Sequence, residues 1–218
     1  MKAMKDVWLF LRKGNNMEND LKKRYSSFID SLTLQLNKMF EDQKEFIKCK
    51  KGCAHCCKEG EYPFSKLEIE YLMDGYRKLP KDIKDSVKKN MEKLDIEYSK
   101  SEGKQFMYTC PLLVNNECVV YDYRGIICRT FGLLLDHGNE DYTMPFCHEL
   151  SLNYAAVYDE ESGTIVDEKN GVKLCETEPK AYRATRDNIM NISVAKDLDL
   201  AWGESKTLYD YLKEYNLD

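Results

Sequence analysis

The sequence predicts a mainly α fold with a small β-hairpin region, which is an α+β arrangement. Three observations indicate this class: apolar residues recur at helical spacing in three long segments, a turn separates two short β-prone segments, and the C-terminal segment again has helical spacing. A length of 218 residues is sufficient for one domain with a buried core. We therefore expect a single domain in which helices predominate.

Residues 1–16 predict a short amphipathic N-terminal arm that ends in the helix breaker Gly-Asn-Asn at 14–16. In the segment 21–39 the apolar residues have a period near 3.6, which predicts a long helix that leads towards the first cysteines. We assign the remaining residues, 17–218, to one domain.

Two further helices are predicted after the first cysteines. Ser65 and Glu68 have the capping-box spacing, so a helix is expected to begin there, and Pro80 ends it. The segment 83–98 repeats the helical spacing on a lysine-rich background and predicts the next helix. The buried face of the first of these helices is expected to consist of Ile69, Leu72, Met73, Tyr76 and Leu79.

The hairpin is predicted where the segment 114–117 forms a turn and the segment 118–121 has a strand-like composition. A short helix or loop is expected at 126–131 and a strand at 164–166. The C-terminal part, 165–218, otherwise predicts helices. A stripe at helical spacing in it is expected to be core or partner surface: Leu208, Tyr211, Leu212 and Tyr215.

The bulk composition disfavours several classes of function. A formal net charge of −5 argues against nucleic acid as a partner, because phosphate binding needs a basic surface. No apolar segment approaches the roughly 20 residues that cross a bilayer, so no membrane association is expected. The N-terminus lacks the features of a secretory signal, so we expect a cytoplasmic location, where disulfides are rare.

Four of the nine cysteines lie within the segment 49–57, among Lys, Gly, Ala and His. Cysteines that only fill a core occur singly in apolar segments. In a reducing compartment this density indicates metal ligands first, redox catalysis second and disulfides third. The helices are therefore expected to surround a cysteine-rich metal centre.

The adjacent pair Cys56 and Cys57 predicts more than one metal atom. Neighbouring side chains diverge by about 100° on a helix and to opposite faces on a strand, so the pair is expected to serve two sites or two atoms of one cluster. Eight thiolates carry more negative charge than two divalent ions neutralise, so cations are needed nearby. The candidate cations flank the cysteines in sequence: Lys48, Lys50, Lys51, Lys58, Arg124 and Arg129.

Two cysteine blocks resemble a known family. The run CKKGCAHCC at 49–57 is similar to the signature of the bacterial CxxCxxCC (YkgJ-type) cysteine-cluster proteins, and the segment 110–132, with CPLL, CVVY and CRTFG, resembles their second block. The resemblance covers residues 49–147 and implies a zinc- or iron-chelating domain, of which flagellin lysine N-methylase carries a similar copy. By position it implies these metal ligands: Cys49, Cys53, Cys56, Cys57, Cys110, Cys118, Cys128 and Cys147.

The cofactor implied is an iron–sulfur cluster or zinc, since tetrahedral sulfur suits both. The clustered run and the adjacent pair favour a polynuclear [4Fe–4S] centre. The sequence departs from the family pattern in two places: three residues separate Cys49 from Cys53 where the family has two, and Gly125 follows Arg124 where the family has proline.

Two classes of function remain open at this point. The first is a metal-binding protein with a structural, sensing or electron-transfer role. The second is a cluster-dependent enzyme, either an oxidoreductase or a protein lysine N-methylase-like enzyme, for which a protein partner would have to supply the methyl-donor pocket.

The spacing of Cys49, Cys53 and Cys56 also occurs in radical S-adenosylmethionine enzymes, but those place it in an alternating series of strands and helices. Additional candidate ligands are His55, His137 and His148.

Overall fold

A computed structural model describes residues 2–101, 106–139 and 141–217, and the backbone alone of residues 2–18. It is about 48% helical with small antiparallel two-stranded sheets, which confirms the α+β class. Within the described ranges, no helix has the length and apolarity that a membrane span requires. The helices are α1 (Lys2–Asp42), α2 (His55–Lys58), α3 (Lys66–Arg77), α4 (Lys81–Ser99), α5 (Ile126–Thr130), α6 (Arg186–Asn191), α7 (Ser193–Asp197) and α8 (Leu208–Glu214). The strands are β1 (Pro63–Ser65), β2 (Leu113–Val114), β3 (Glu117–Cys118), β4 (Leu135–Gly138), β5 (Asp141–Thr143), β6 (Tyr158–Asp159), β7 (Thr164–Ile165), β8 (Glu168–Lys169), β9 (Val172–Lys173) and β10 (Ser205–Thr207).

Helix α1 is continuous from Lys2 to Asp42, so the break predicted at 14–16 is wrong. A glycine inside a helix costs only about 1 kcal/mol, which the good helix formers on either side offset. The boundary of the N-terminal arm stays a prediction. Four residues of the predicted apolar stripe are buried, namely Tyr25, Phe28, Leu32 and Leu36, and Ile29 is buried beside them.

The capping box predicted at the start of α3 is confirmed. The Ser65 hydroxyl accepts the N–H of Glu68 at 3.2 Å, and the Glu68 carboxylate accepts the N–H of Ser65 at 2.8 Å. These two bonds satisfy backbone donors that the first turn of a helix leaves free. Helix α3 ends at Arg77, shortly before Pro80, as predicted. Its buried face includes Ile69, Leu72, Met73 and Tyr76.

Two large apolar clusters divide the fold. In the first, α3 and α4 pack against α8 and the β2–β3 hairpin, and Cys110, Cys118 and Cys128 lie against this cluster. In the second, α1 packs against α5, α6 and α7. Because Cys128 packs against the first cluster and the buried Ile126 belongs to the second, α5 lies between the two clusters. The predicted C-terminal stripe is core, since Leu208, Tyr211 and Leu212 are buried.

The predicted β-hairpin is present, although its second strand is shorter than expected. Strand β2 pairs with β3 through a turn at Asn115 and Asn116, whose φ angles of 53° and 62° match the primed turn that joins twisted strands. Strand β3 ends at Cys118, and a 3-10 helix (Tyr121–Tyr123) replaces the strand predicted to 121.

The C-terminal part contains strands as well as the predicted helices. Strand β7 pairs with β6 and confirms the strand expected near 164–166. The hairpin of β8 and β9 and the pairing of β10 with β1 contradict an otherwise helical C-terminal part. The β1–β10 pair joins positions far apart in sequence, and no local pattern predicts such a pairing.

A buried carboxylate connects three elements near the cysteines. Glu68 is fully buried and accepts the N–H of Ile126 at 2.9 Å and two hydrogen bonds from the Arg186 guanidinium at 2.9 and 3.1 Å, in addition to its capping bond. A Cβ atom at Gly125 would lie 2.5 Å from Phe64 Cε1 and 3.1 Å from Glu68 Oε1. The close approach of these groups explains why the chain has glycine at this position.

Candidate metal centre

The first cysteine segment folds as a tight loop followed by one helical turn. The Cys53 N–H donates to Lys50 O at 2.9 Å around Gly52, whose φ of 83° suits glycine, and the Cys57 N–H donates to Ala54 O at 3.0 Å as α2 begins. The Cys110 N–H then donates to Cys57 O at 2.7 Å. The first block is thereby joined directly to the second.

Four thiols from three separate stretches of the chain lie close enough to interact electrostatically in every pairwise combination. Burial raises the pKa of the Cys110 thiol well above its ordinary value, and Cys118, Cys128 and Cys57 raise it further. Burial likewise raises the pKa of Cys118 and Cys128, with added contributions from the other thiols. We call Cys57, Cys110, Cys118 and Cys128 the hairpin thiol set.

Backbone amides are directed at the two sulfurs of the hairpin. The Leu112 N–H donates to the Cys110 sulfur and the Val120 N–H to the Cys118 sulfur, and both bonds lower the pKa of the thiol that accepts them. In each case the donor lies two residues after the cysteine. Hydrogen bonds of this kind stabilise thiolates and tune the metal or cluster that the thiolates bind.

A second group of thiols adjoins the Cys56–Cys57 pair. Burial raises the pKa of Cys147 and the Cys49 and Cys53 thiols raise it further, while Cys49 also interacts with Cys53. Cys56 donates a hydrogen bond to Cys57 and interacts with Cys128 and with Cys49, so it links the two groups. We call Cys49, Cys53, Cys56 and Cys147 the loop thiol set. Cys49 is exposed and Cys147 is buried.

Two arginines compensate charge beside the hairpin thiol set. Arg124 lies 3.6 Å from the centre of the Tyr121 ring and acts to lower the pKa of Cys57, after the larger effect of the Cys56 hydrogen bond. The buried Arg129 donates to Arg124 O at 2.9 Å and to Thr33 Oγ1 at 3.1 Å, and burial lowers its pKa. Within the described residues neither guanidinium has a carboxylate partner. The flanking lysines differ, since Lys51 pairs with Glu117 at 3.4 Å.

The donors fit a thiophilic metal in chemistry and number, but they do not form a closed coordination shell. Among residues 2–101, 106–139 and 141–217, no three His, Cys, Asp or Glu side chains stand where they could together hold a metal ion. The thiols instead form two neighbourhoods of four, each with amide N–H donors directed at its sulfurs. Thiolates supported in this way suit zinc or an iron–sulfur cluster.

The remaining candidate ligands are exposed or have other partners. His137 Nε2 is 2.7 Å from Thr143 Oγ1, and His148 Nδ1 is 3.2 Å from Pro145 O. His55 is the exposed first residue of α2. Cys175 is buried in a third apolar cluster with Phe46 and Tyr154. We therefore interpret Cys175 as a core residue, which agrees with its isolated position in the sequence.

Two residues at the loop thiol set were not identified from the sequence as part of a site. Asn153 is buried and its Nδ2 donates to the Cys49 sulfur at 3.2 Å, and Gly132 lies against both. Gly132 belongs to the CRTFG segment, so its position beside a cysteine was a usable signal. No sequence pattern distinguishes Asn153 from other asparagines.

Substitution of Gly132 by alanine is expected to lower the free energy of unfolding by about 1 to 3 kcal/mol, the usual cost of a strained backbone conformation. Gly132 has a φ of 106°, and an added Cβ would lie 2.9 Å from Asn153 Nδ2 and 3.2 Å from the Cys49 sulfur. Urea unfolding provides the measurement. Gly171→Ala is the control, because Gly171 also has positive φ but has nothing within 4 Å of the added atom. Equal losses in both variants would show that the contact with Asn153 and Cys49 is unimportant.

No protein-family model matches the chain, and comparisons with curated proteins and with solved structures gave no match either. The resemblance to the cysteine-cluster family therefore stays a prediction that rests on the two cysteine blocks. The arrangement of the site itself is therefore the basis for the proposed function.

Proposed function

We propose that the chain is a metal-binding protein of the cysteine-cluster type that holds an iron–sulfur cluster, with [4Fe–4S] preferred, or zinc through eight thiolates. The observation that carries this proposal is the meeting of the hairpin thiol set from three stretches of sequence: the Cys110 N–H donates to Cys57 O at 2.7 Å, and Cys110, Cys118 and Cys128 pack against the same apolar cluster. Cysteines that only fill a core have no reason to meet in this way.

The division of the thiols into two sets supports two metal sites or one extended cluster. Cys56 donates a hydrogen bond to Cys57 and interacts with Cys128 of the hairpin thiol set as well as with Cys49 of the loop thiol set. The adjacent pair therefore links the two sets. That the pair serves two sites or two atoms of one cluster is part of this proposal.

Charge supports the same proposal. Four thiolates bound to one divalent ion carry a net negative charge, which a partly buried site tolerates only with cations nearby. Arg124 and Arg129 supply such charge without carboxylate partners among the described residues. Without a bound anionic centre, two adjacent guanidiniums in this position would be poorly compensated.

The proposed role is structural, sensing or electron transfer in a reducing cytoplasm. A metal held by the hairpin thiol set would connect the loop before α2, the β2–β3 hairpin and α5, and its binding would stabilise the fold. An iron–sulfur cluster, when bound, additionally supplies one-electron chemistry. This chain's residues would hold the metal, donate hydrogen bonds to its sulfur ligands and balance its charge.

One observation favours the alternative of a cluster-dependent enzyme, either an oxidoreductase or a protein lysine N-methylase-like enzyme. The loop thiol set includes the exposed Cys49, and a polar groove of about 390 Å³ adjoins the segment of Cys147. A metal that catalyses keeps an open or exchangeable position, for which an exposed ligand is suited. The groove is lined by His148, Glu149, Ser151, Ala155, Tyr158 and Glu160.

Anaerobic purification followed by metal and sulfide analysis tests the proposal. Iron with matching acid-labile sulfide and absorption near roughly 400 nm, from sulfur-to-iron charge transfer, would establish a cluster. Stoichiometric zinc in a colourless protein would establish the zinc form. A chain that retains neither metal, and takes up neither after anaerobic reconstitution with iron and sulfide or with zinc, would contradict the proposal.

A further inference from the structure

The side-chain amide of Asn153 forms hydrogen bonds through both its oxygen and its nitrogen, all to residues around Cys49. Its Oδ1 accepts the N–H of Lys48 at 2.7 Å, and its Nδ2 donates to Gly132 O at 2.9 Å and to the Cys49 sulfur at 3.2 Å. The residue is only 1% exposed, so protein groups take the place of water around it. A buried amide that is hydrogen-bonded through both its oxygen and its nitrogen has a well-defined orientation.

The backbone of the same residue contacts a second thiol. The Asn153 N–H donates to the sulfur of Cys147. Asn153 thus donates one hydrogen bond to each of two cysteines that are far apart in sequence, and both belong to the loop thiol set. Of the proposed ligands, Cys49 is the first along the chain and Cys147 is the last.

The segment that carries Asn153 is itself fixed in position. The Leu152 N–H donates to Cys147 O at 3.1 Å, which closes the chain around that cysteine. The Tyr154 N–H donates to Phe46 O at 3.1 Å, and the two rings stack with centres 5.4 Å apart. Asn153 is therefore held against the segment that precedes Cys49.

We propose that Asn153 is the positioning residue of the loop thiol set: it holds the Cys49 and Cys147 sulfurs together and donates an N–H group to each. This inference rests on the proposed function, because its purpose is to prepare two thiolates for one thiophilic metal centre. Residues that orient metal ligands by hydrogen bonds typically contribute about 10- to 100-fold to metal affinity. Asn153 would act through Cys49 and Cys147 without binding the metal itself.

Cobalt(II) titration of the reduced, metal-free, full-length chain is the test, with thiolate-to-cobalt absorption as the readout. Cys49→Ser and Cys128→Ser identify which part of the titration belongs to each thiol set. Asn153→Ala and Asn153→Asp are expected to weaken cobalt binding at the loop thiol set about 10- to 100-fold and to leave the hairpin thiol set unchanged. Asn153→Asp keeps an acceptor for the Lys48 N–H but has no N–H group to donate to the Cys49 sulfur. Comparison with Asn153→Ala therefore separates the effect of losing that donor from the effect of losing the bond to Lys48.

Asn90→Ala is the matched control. Asn90 Nδ2 donates to Pro111 O at 3.1 Å and to Leu113 O at 3.2 Å, beside the hairpin thiol set. This variant also loses two side-chain hydrogen bonds, but it is expected to leave the loop thiol set intact. If Asn153→Ala weakened both sets equally, or neither set, the positioning role would be rejected.

A second experiment, chemical cross-linking of the thiols, needs no metal. Treatment of the metal-free chain with a short bifunctional thiol reagent, dibromobimane, and peptide mapping give the yield of Cys49 linked to Cys147. Asn153→Ala is expected to reduce this yield several-fold, and an unchanged yield would overturn the inference. A wild-type chain that binds no cobalt would reject the proposed function, and the cross-link yield would then decide the positioning role by itself.

Discussion

Cys128→Ser is expected to lose the metal of the hairpin thiol set and to lower the melting temperature at the same time. Cys128 interacts with Cys57, Cys110 and Cys118, and it lies on α5 between the two apolar clusters. Structural zinc contributes about 10 to 16 kcal/mol of apparent binding free energy, so the loss of one of four ligands is expected to cost on the order of 5 kcal/mol. Metal analysis and thermal unfolding of the same anaerobic preparation measure both effects.

Cys175→Ser is the matched control for this prediction. Cys175 is also a buried cysteine, but it packs against Phe46 and Tyr154 and interacts with neither thiol set. Its replacement places a hydroxyl in an apolar cluster, which is expected to cost about 1 to 3 kcal/mol without any change in metal content. Full metal loading and unchanged melting in Cys128→Ser would remove Cys128 from the ligand set.

Glu68→Ala is expected to lower the free energy of unfolding by about 3 to 5 kcal/mol, which is the usual cost of removing one partner of a buried ion pair. The substitution leaves the Arg186 guanidinium, with a side chain 10% exposed, without its buried carboxylate partner. It also removes the acceptor for the N–H groups of Ser65 and Ile126. Urea unfolding at constant metal loading gives the measurement.

The control for Glu68→Ala is Glu214→Ala. Glu214 pairs with Lys206 at 2.6 Å, but its side chain is 50% exposed, so the loss is expected to be no more than about 1 kcal/mol. Because the Ile126 N–H lies at the start of α5, Glu68→Ala is also expected to weaken metal binding by the hairpin thiol set. Equal effects of the two substitutions would show that the buried pair does not organise α5.

Local signals in the sequence predicted much of the fold. The spacing of Ser65 and Glu68 predicted the capping box, since the two side chains need only adjacent backbone groups to form it. The turn at Asn115 and Asn116 predicted the hairpin, because the residues themselves favour positive φ. The expected divergence of the Cys56 and Cys57 side chains does not separate their thiols, since Cys56 donates a hydrogen bond to Cys57.

Features that depend on the path of the whole chain could not be predicted. The break expected at 14–16 is absent because α1 continues through one unfavourable glycine. The pairing of β10 with β1 joins two segments that are far apart in sequence, and no local pattern in either segment indicates the other as its partner. The association of Cys147 with Cys49, and the place of Asn153 between them, depends on the chain folding back onto the residues before Cys49.

X-ray absorption at the metal edge of the anaerobically purified chain would show directly which atoms bind the metal. We expect a first shell of sulfur alone, at about 2.3 Å for zinc bound by thiolates. For an iron–sulfur cluster we also expect a second shell of iron atoms around the absorbing iron, because several metal atoms then share the sulfurs. A first shell dominated by nitrogen or oxygen, or a chain that carries no metal in either thiol set, would contradict the account.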